Sequence, residues 1–211
     1  MKFISTLLFA LLLSASWAQE RNDIGISFGS SNYIGDLNPS LSFGNAQPSF
    51  GILLRHNASN YYSLRVSASM AGLNSSISNT NSYLPGSQTA FAKMLYEGEF
   101  VAEIGFLPFN TKIKPSMNFS PYVIAGIGAA SVDGKIFPHV PLGIGAKYSF
   151  RNRLSLALEL RLHKTANDLI DNYSNVSATR STVHNNDWFT FTGLMLSYRI
   201  YNEKGLCPVY R

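Results

Sequence analysis

The sequence predicts an all-β fold: an eight-stranded antiparallel transmembrane β-barrel following a cleaved signal peptide. Three observations carry this. Side chains alternate with a period of two in eight separate segments, the signature of strands whose two faces meet different surroundings. The alternation sets arginines and glutamates against leucines and isoleucines, so the charged face points inward and the apolar face outward, the inverse of a soluble core. Charged residues make up only 14% of the chain although 45% is hydrophobic, and after the leader no apolar run approaches the roughly 20 residues that a spanning helix needs.

Residues 1–18 read as the signal peptide. Lys2 supplies the positive start, Leu7 to Leu13 the apolar centre, and Ser16-Trp17-Ala18 a small-x-small cleavage site. Residues 19–201 form the barrel and residues 202–211 a periplasmic tail. Losing Lys2 takes the formal charge from +5 to +4, too modest and too scattered to argue for nucleic acid. The lone Cys207 has no internal partner for a disulfide.

The elements follow in order. Ile24, Ile26 and Phe28 alternate with Gly25, Ser27 and Gly29 in a first strand that stops at Gly35-Asp36-Leu37-Asn38-Pro39, because Gly, Asn and Pro favour turns. After a loop to about Pro48, Phe50, Ile52 and Leu54 alternate with Gly51, Leu53 and Arg55. His56 to Asn60 is a tight turn. Tyr62, Leu64, Val66, Ala68 and Met70 then face away from Tyr61, Ser63, Arg65, Ser67 and Ser69. A long Asn/Ser-rich loop is expected from Gly72 to about Met94. Strand four sets Tyr96, Phe100, Ala102, Ile104 and Phe106 against Glu97, Glu99, Val101 and Glu103. Three carboxylates facing inward need partners, since buried charge is costly alone.

Leu107 to Ser120, with prolines and Asn110, is a turn of moderate length. Strand five, Pro121 to Ser131, is rich in small residues, expected inside where they leave room for larger side chains opposite. Asp133-Gly134 marks a loop. Strand six places Val140, Leu142, Ile144, Ala146, Tyr148 and Phe150 outward and Gly143, Gly145 and Lys147 inward. Arg151-Asn152-Arg153 is a tight turn. Strand seven sets five leucines, Leu154 to Leu162, against Ser155, Ala157, Glu159, Arg161 and His163. After the loop Thr165 to Asn186, Asp187 to Ile200 closes the barrel against the first strand. Short and long connections alternate, which gives short periplasmic turns, long outer loops and both termini in the periplasm.

The inward charges are Arg55, Arg65, Lys147, Arg161 and Arg199 against Glu97, Glu99, Glu103 and Glu159, a salt-bridged plug rather than a pore. The soluble alternative, a lipocalin-like barrel or sandwich, would bury the leucine face. Gly126-Ile127-Gly128 lies within a strand with no helix after it, so it is no dinucleotide loop. The four histidines, His56, His139, His163 and His184, sit on separate segments without an i,i+4 pair, and metal binding has no sequence support. His163, with Glu159 four residues earlier on the same face, makes a base and its orienter conceivable for a lipid-ester enzyme. A hydrogen-bonded rim histidine is the commoner outcome. No cofactor is expected. The turn side is basic, with Lys112, Lys114, Arg151, Arg153, Lys204 and Arg211, which suits docking of an acidic partner. Cys207 is expected to crosslink to that partner or to pack within it.

Ser31-Asn32-Tyr33-Ile34-Gly35-Asp36-Leu37-Asn38, at the end of the first strand, resembles the start of PorG-like outer-membrane barrels of the Bacteroidetes type IX secretion system. Ser120 to Gly128, Asp187-Trp188, Thr192-Gly193-Leu194 and the ending Cys207-Pro208-Val209-Tyr210 are similar too. The resemblance implies a non-enzymatic barrel that associates with outer-membrane lipid and with a periplasmic ring of a lipoprotein and its soluble partner. That ring supports protein export, in some species alongside gliding motility. Cys207, Tyr210, Arg211, Lys112, Lys114, Arg151 and Arg153 are then the candidate partner contacts. A general OmpA-like structural or adhesive outer-membrane barrel and a lipid-modifying barrel enzyme are the alternatives.

Overall fold

The computed structural model describes residues 22–34, 46–76, 90–109, 118–150, 153–166 and 188–200. Eight strands run β1 (Asn22–Ile34), β2 (Gln47–His56), β3 (Tyr62–Ser76), β4 (Ala90–Gly105), β5 (Phe119–Val132), β6 (Lys135–Ser149), β7 (Leu154–Thr165) and β8 (Trp188–Ile200). Each pairs antiparallel with its sequence neighbours, and β1 pairs with β8 to close the barrel. The seam is long and in unbroken register, from Asn22↔Ile200 to Ile34↔Trp188. Closure leaves no bare sheet edge. The signal peptide, the expected turn from Gly35 to Pro39 and the tail lie outside the described residues.

Alternation sorts the two faces as the sequence predicts. On β8, Leu194, Leu196, Tyr198 and Ile200 look outward while Met195, Ser197 and Arg199 are buried. Across all eight strands the outward positions carry no Asp, Glu or Arg, and a single lysine, Lys164, at a strand end. Lys164 lies over the Trp188 ring, 5.1 Å from its centroid. Large apolar side chains stand in the open on this face, Ile52 at 65% exposure and Leu158 at 57% among them. Such a surface suits hydrocarbon and not water. Tyr62, Phe106, Phe119, Tyr148, Phe150 and Tyr198, all exposed, gather at one end, the position of an interfacial aromatic girdle. At that end Arg153 Nη1 donates to Tyr198 Oη at 3.0 Å.

Several expectations need correction. Tyr61 is not inward: it precedes β3 and is exposed. β3 runs on to Ser76 and β4 begins at Ala90, so the loop between them is shorter than the stretch from Gly72 to Met94. The polar Asn74-Ser75-Ser76 end continues the ladder because its backbone still pairs across to β4. Among the small residues of β5, Ala125 and Ala129 face outward; Gly126, Gly128 and Ala130 share the inward parity of the buried Tyr122 and Ile124. Short and long connections do not strictly alternate. Residues 106–118 make the β4–β5 link at the turn end, whereas Asp133 and Gly134 alone join β5 to β6 at the other end. Both have positive φ, 50° and 77°, as a two-residue type I′ hairpin requires.

The β5–β6 ladder is interrupted between Ala125↔Leu142 and Gly128↔His139 without a change of register. Pro141 lies in that gap and has no N–H to donate.

Candidate functional site

The candidate site is the barrel interior, where each inward charge is delivered by strand parity. Asp23 on β1 stands directly opposite both Arg55 on β2 and Arg199 on β8. Arg199 Nε donates to Asp23 Oδ1 at 2.8 Å, and Arg55 Nη1 stands 3.8 Å from Asp23 Oδ2. One step further in, Arg55 Nε donates to Glu103 Oε1 at 2.9 Å, and Lys147 Nζ reaches Glu103 Oε2 at 3.5 Å. Arg65 sits at the centre with 0% exposure. Its Nη1 and Nη2 donate to the two oxygens of Glu159 at 2.8 and 2.9 Å, and Nη1 also reaches Glu103 at 3.1 Å. Tyr122 Oη donates to Glu159 Oε2 at 2.7 Å. Arg161 donates to Glu99 and lies 2.9 Å from Glu159.

All nine interior charges expected from the sequence, Arg55, Arg65, Glu97, Glu99, Glu103, Lys147, Glu159, Arg161 and Arg199, are buried. The sequence reading missed Asp23, which brings the described interior acids level with the five cations. It belonged to the apparent leader, though its odd-numbered parity with Gly25 and Ser27 was a signal. Tyr122 was missed as well.

Both mouths are covered. At the turn end Phe109 folds under the barrel and is buried, with Lys147 Nζ 5.0 Å and Arg199 6.0 Å from its ring. Its backbone N–H donates to Asn60 O at 2.8 Å. At the other end Tyr33, Leu73, Leu95, Val132, Phe137 and Phe189 form a buried apolar cluster.

Beneath that cluster, two histidines expected to lie apart come together. His139 from β6 and His163 from β7 are 5.2 Å apart by ring centroids, and His163 stacks on Phe189 at 4.2 Å. Both are buried, at 3% and 0% exposure. His139 Nε2 and His163 Nδ1 stand 3.1 and 2.8 Å from Glu97 Oε1, close enough for an ion pair but without the alignment of a regular hydrogen bond. Gly128, opposite His139 and Glu99, makes room for the ring: a Cβ there would meet it at 2.5 Å. Candidate ligand atoms of Glu97, Glu99, His139 and His163 all lie within 4.8 Å of one another. No local spacing could have announced this. The group forms only through the registers of β4 to β7.

The conceivable catalytic pair does not form. Glu159 is engaged by Arg65, Arg161 and Tyr122, and His163 turns to Glu97 instead; it is no rim residue. Of the expected partner contacts, Arg153 is exposed at the turn end. Cys207, Tyr210, Arg211, Lys112, Lys114 and Arg151 lie outside the described residues.

The architecture is that of outer-membrane barrels. The structure is similar to Neisserial surface protein A (NspA), at TM-score 0.54 and 12% identity, covering 85% of this chain and 97% of that one. It is also similar to the N-terminal β-barrel domain of Pseudomonas aeruginosa OprF (TM-score 0.46, 13% identity, 85% and 99% covered). A third likeness is to the outer membrane protein OprG of the same organism (TM-score 0.43, 8% identity, 86% and 98% covered). At 12% identity the likeness to NspA bears on the fold alone. No protein of curated function matches the chain. The family described as "Domain of unknown function (DUF6089)" matches residues 1–209, and the chain belongs to it.

Proposed function

We propose that this protein is an integral outer-membrane barrel that works as a non-enzymatic anchor for a periplasmic assembly, in the manner of the type IX secretion barrels its sequence resembles. The observation that carries the reading is the filled interior. Fully buried Arg65, Glu103 and Glu159 occupy the centre, and aromatic residues cover both mouths, so the barrel offers a lipid-facing wall and two ends rather than a passage. A barrel of this kind acts through its ends. Asn22 and Ile200 are paired at the end that carries Arg153 and the girdle, so the chain beyond Ile200 starts there. In this reading that end is periplasmic, and Arg153, with Lys112, Lys114, Arg151 and the tail residues Cys207, Tyr210 and Arg211, meets an acidic face of a ring lipoprotein.

The test is affinity purification from native outer membranes in mild detergent, with crosslinking. A periplasmic lipoprotein should co-purify, and deleting residues 202–211 should remove it while leaving a folded, heat-modifiable barrel. A barrel that emerges alone would return the function to the structural, adhesive or lipid-modifying alternatives.

A further inference from the structure

We infer that Glu97, Glu99, His139 and His163 form a binding site for a divalent transition-metal ion inside the barrel, with zinc the best fit. The inference stands on the interior geometry and is independent of the anchor reading.

Unsatisfied polarity is concentrated here. Six of the eleven buried side-chain nitrogen and oxygen atoms without a hydrogen-bond partner among the described residues belong to this group: Glu97 Oε1, Glu99 Oε2 and both ring nitrogens of His139 and His163. Buried polar atoms are nearly always satisfied, and a cluster of exceptions calls for an occupant. The carboxylates are oriented for one. Ser69 Oγ donates to Glu97 Oε2 at 3.1 Å, and Ser67 Oγ to Glu99 Oε1 at 2.6 Å, each from the position directly opposite on β3. Arg161 also donates to Glu99 Oε1. Each carboxylate thus has one oxygen held by a serine and the other without a hydrogen-bond partner, that of Glu97 facing the two imidazoles. This is the outer-shell arrangement that orients metal ligands.

The spacing agrees. Tetrahedral zinc with bonds of about 2.0–2.1 Å holds neighbouring ligand atoms about 3.3 Å apart, and the two ring nitrogens lie 2.8 and 3.1 Å from Glu97 Oε1. Two imidazoles and two carboxylates suit Zn²⁺ or a neighbouring first-row ion, whereas Ca²⁺ and Mg²⁺ favour all-oxygen shells. Charge agrees locally. Among the described residues Glu97 has no Lys or Arg within ion-pair distance; the two imidazoles stand there instead. Glu97 and Glu99 together have Arg161 close by and Arg65 at 3.8 Å. A bound cation meets both carboxylates and ties β4, β6 and β7 together beneath the apolar cluster.

The test is to fold untagged protein from urea into detergent with Zn²⁺, remove excess metal, and measure metal per folded barrel by mass spectrometry. Folding is scored separately by heat-modifiable gel mobility. Co²⁺ in place of Zn²⁺ reports the ligand field through its visible absorption. The expected result is one Zn²⁺ per folded barrel, a tetrahedral-type Co²⁺ spectrum, and loss of both in His139→Ala/His163→Ala, with His56→Ala unchanged. Should the double variant not fold, Ser69→Ala, which keeps all four ligands, is expected to weaken binding about tenfold. Folded wild type holding no stoichiometric Zn²⁺, or metal retained equally in the double variant, or in Ser69→Ala where that variant is the one tested, overturns the site.

Discussion

Arg65 on β3 and Glu159 on β7 meet across the full width of the barrel, guanidinium to carboxylate, through two parallel hydrogen bonds of 2.8 and 2.9 Å. The pair spans opposite walls, so it ties them together across the lumen as well as balancing charge. Arg65→Ala leaves Glu159 and Glu103 short of a buried cation and is expected to destabilise the folded barrel by about 3–5 kcal/mol. Arg65→Lys should recover only part of this, because an ammonium cannot make the forked contact. Urea titration of folding into lipid vesicles reads both. A silent Arg65→Ala would mean that water already screens the centre.

The wall makes a second prediction. Leu158 is outward and central on β7, whereas Lys164 on the same face sits at the strand end over Trp188. Leu158→Arg should cost about 2–4 kcal/mol in the same vesicle assay, and a new arginine at Leu154, close to the girdle, about 1 kcal/mol or less. Equal costs at the two depths would contradict a hydrocarbon slab centred on these strands.

The filled interior predicts electrical silence. Purified protein in planar bilayers should give no steady conductance at moderate voltage. A long-lived open level in wild type would show that Phe109 and the central charges do not block the lumen.

Gly128 supplies a test of close packing. A side chain there has the His139 ring 2.5 Å from its Cβ, so Gly128→Val should cost about 1–3 kcal/mol by overpacking and displace the imidazole. Tryptophan fluorescence during urea unfolding follows the cost.

The barrel was legible in the sequence because alternation is a local property: Leu194 and Met195 declare opposite faces without reference to any other strand. Charge parity was equally local, which is why Arg55, Arg65, Glu103 and Glu159 could be placed inside in advance. What escaped was set by pairing between strands. Asp23 gains its close partner, Arg199, through barrel closure, and His139 meets His163 only because β6 and β7 pair His139 with Thr165 and Pro141 with His163. Strand ends were misjudged where polar residues such as Asn74 continue a ladder that hydrophobicity does not mark.

The join between β1 and β8 also governs when this protein can exist as a finished object. The first strand to emerge during synthesis is completed by the last, over 150 residues later in sequence. Any sheet built without β8 would keep two open borders, and non-local pairing of this kind forms slowly. Such a chain needs escort until Trp188–Ile200 has arrived, and truncation before that strand yields a sticky fragment rather than a smaller barrel.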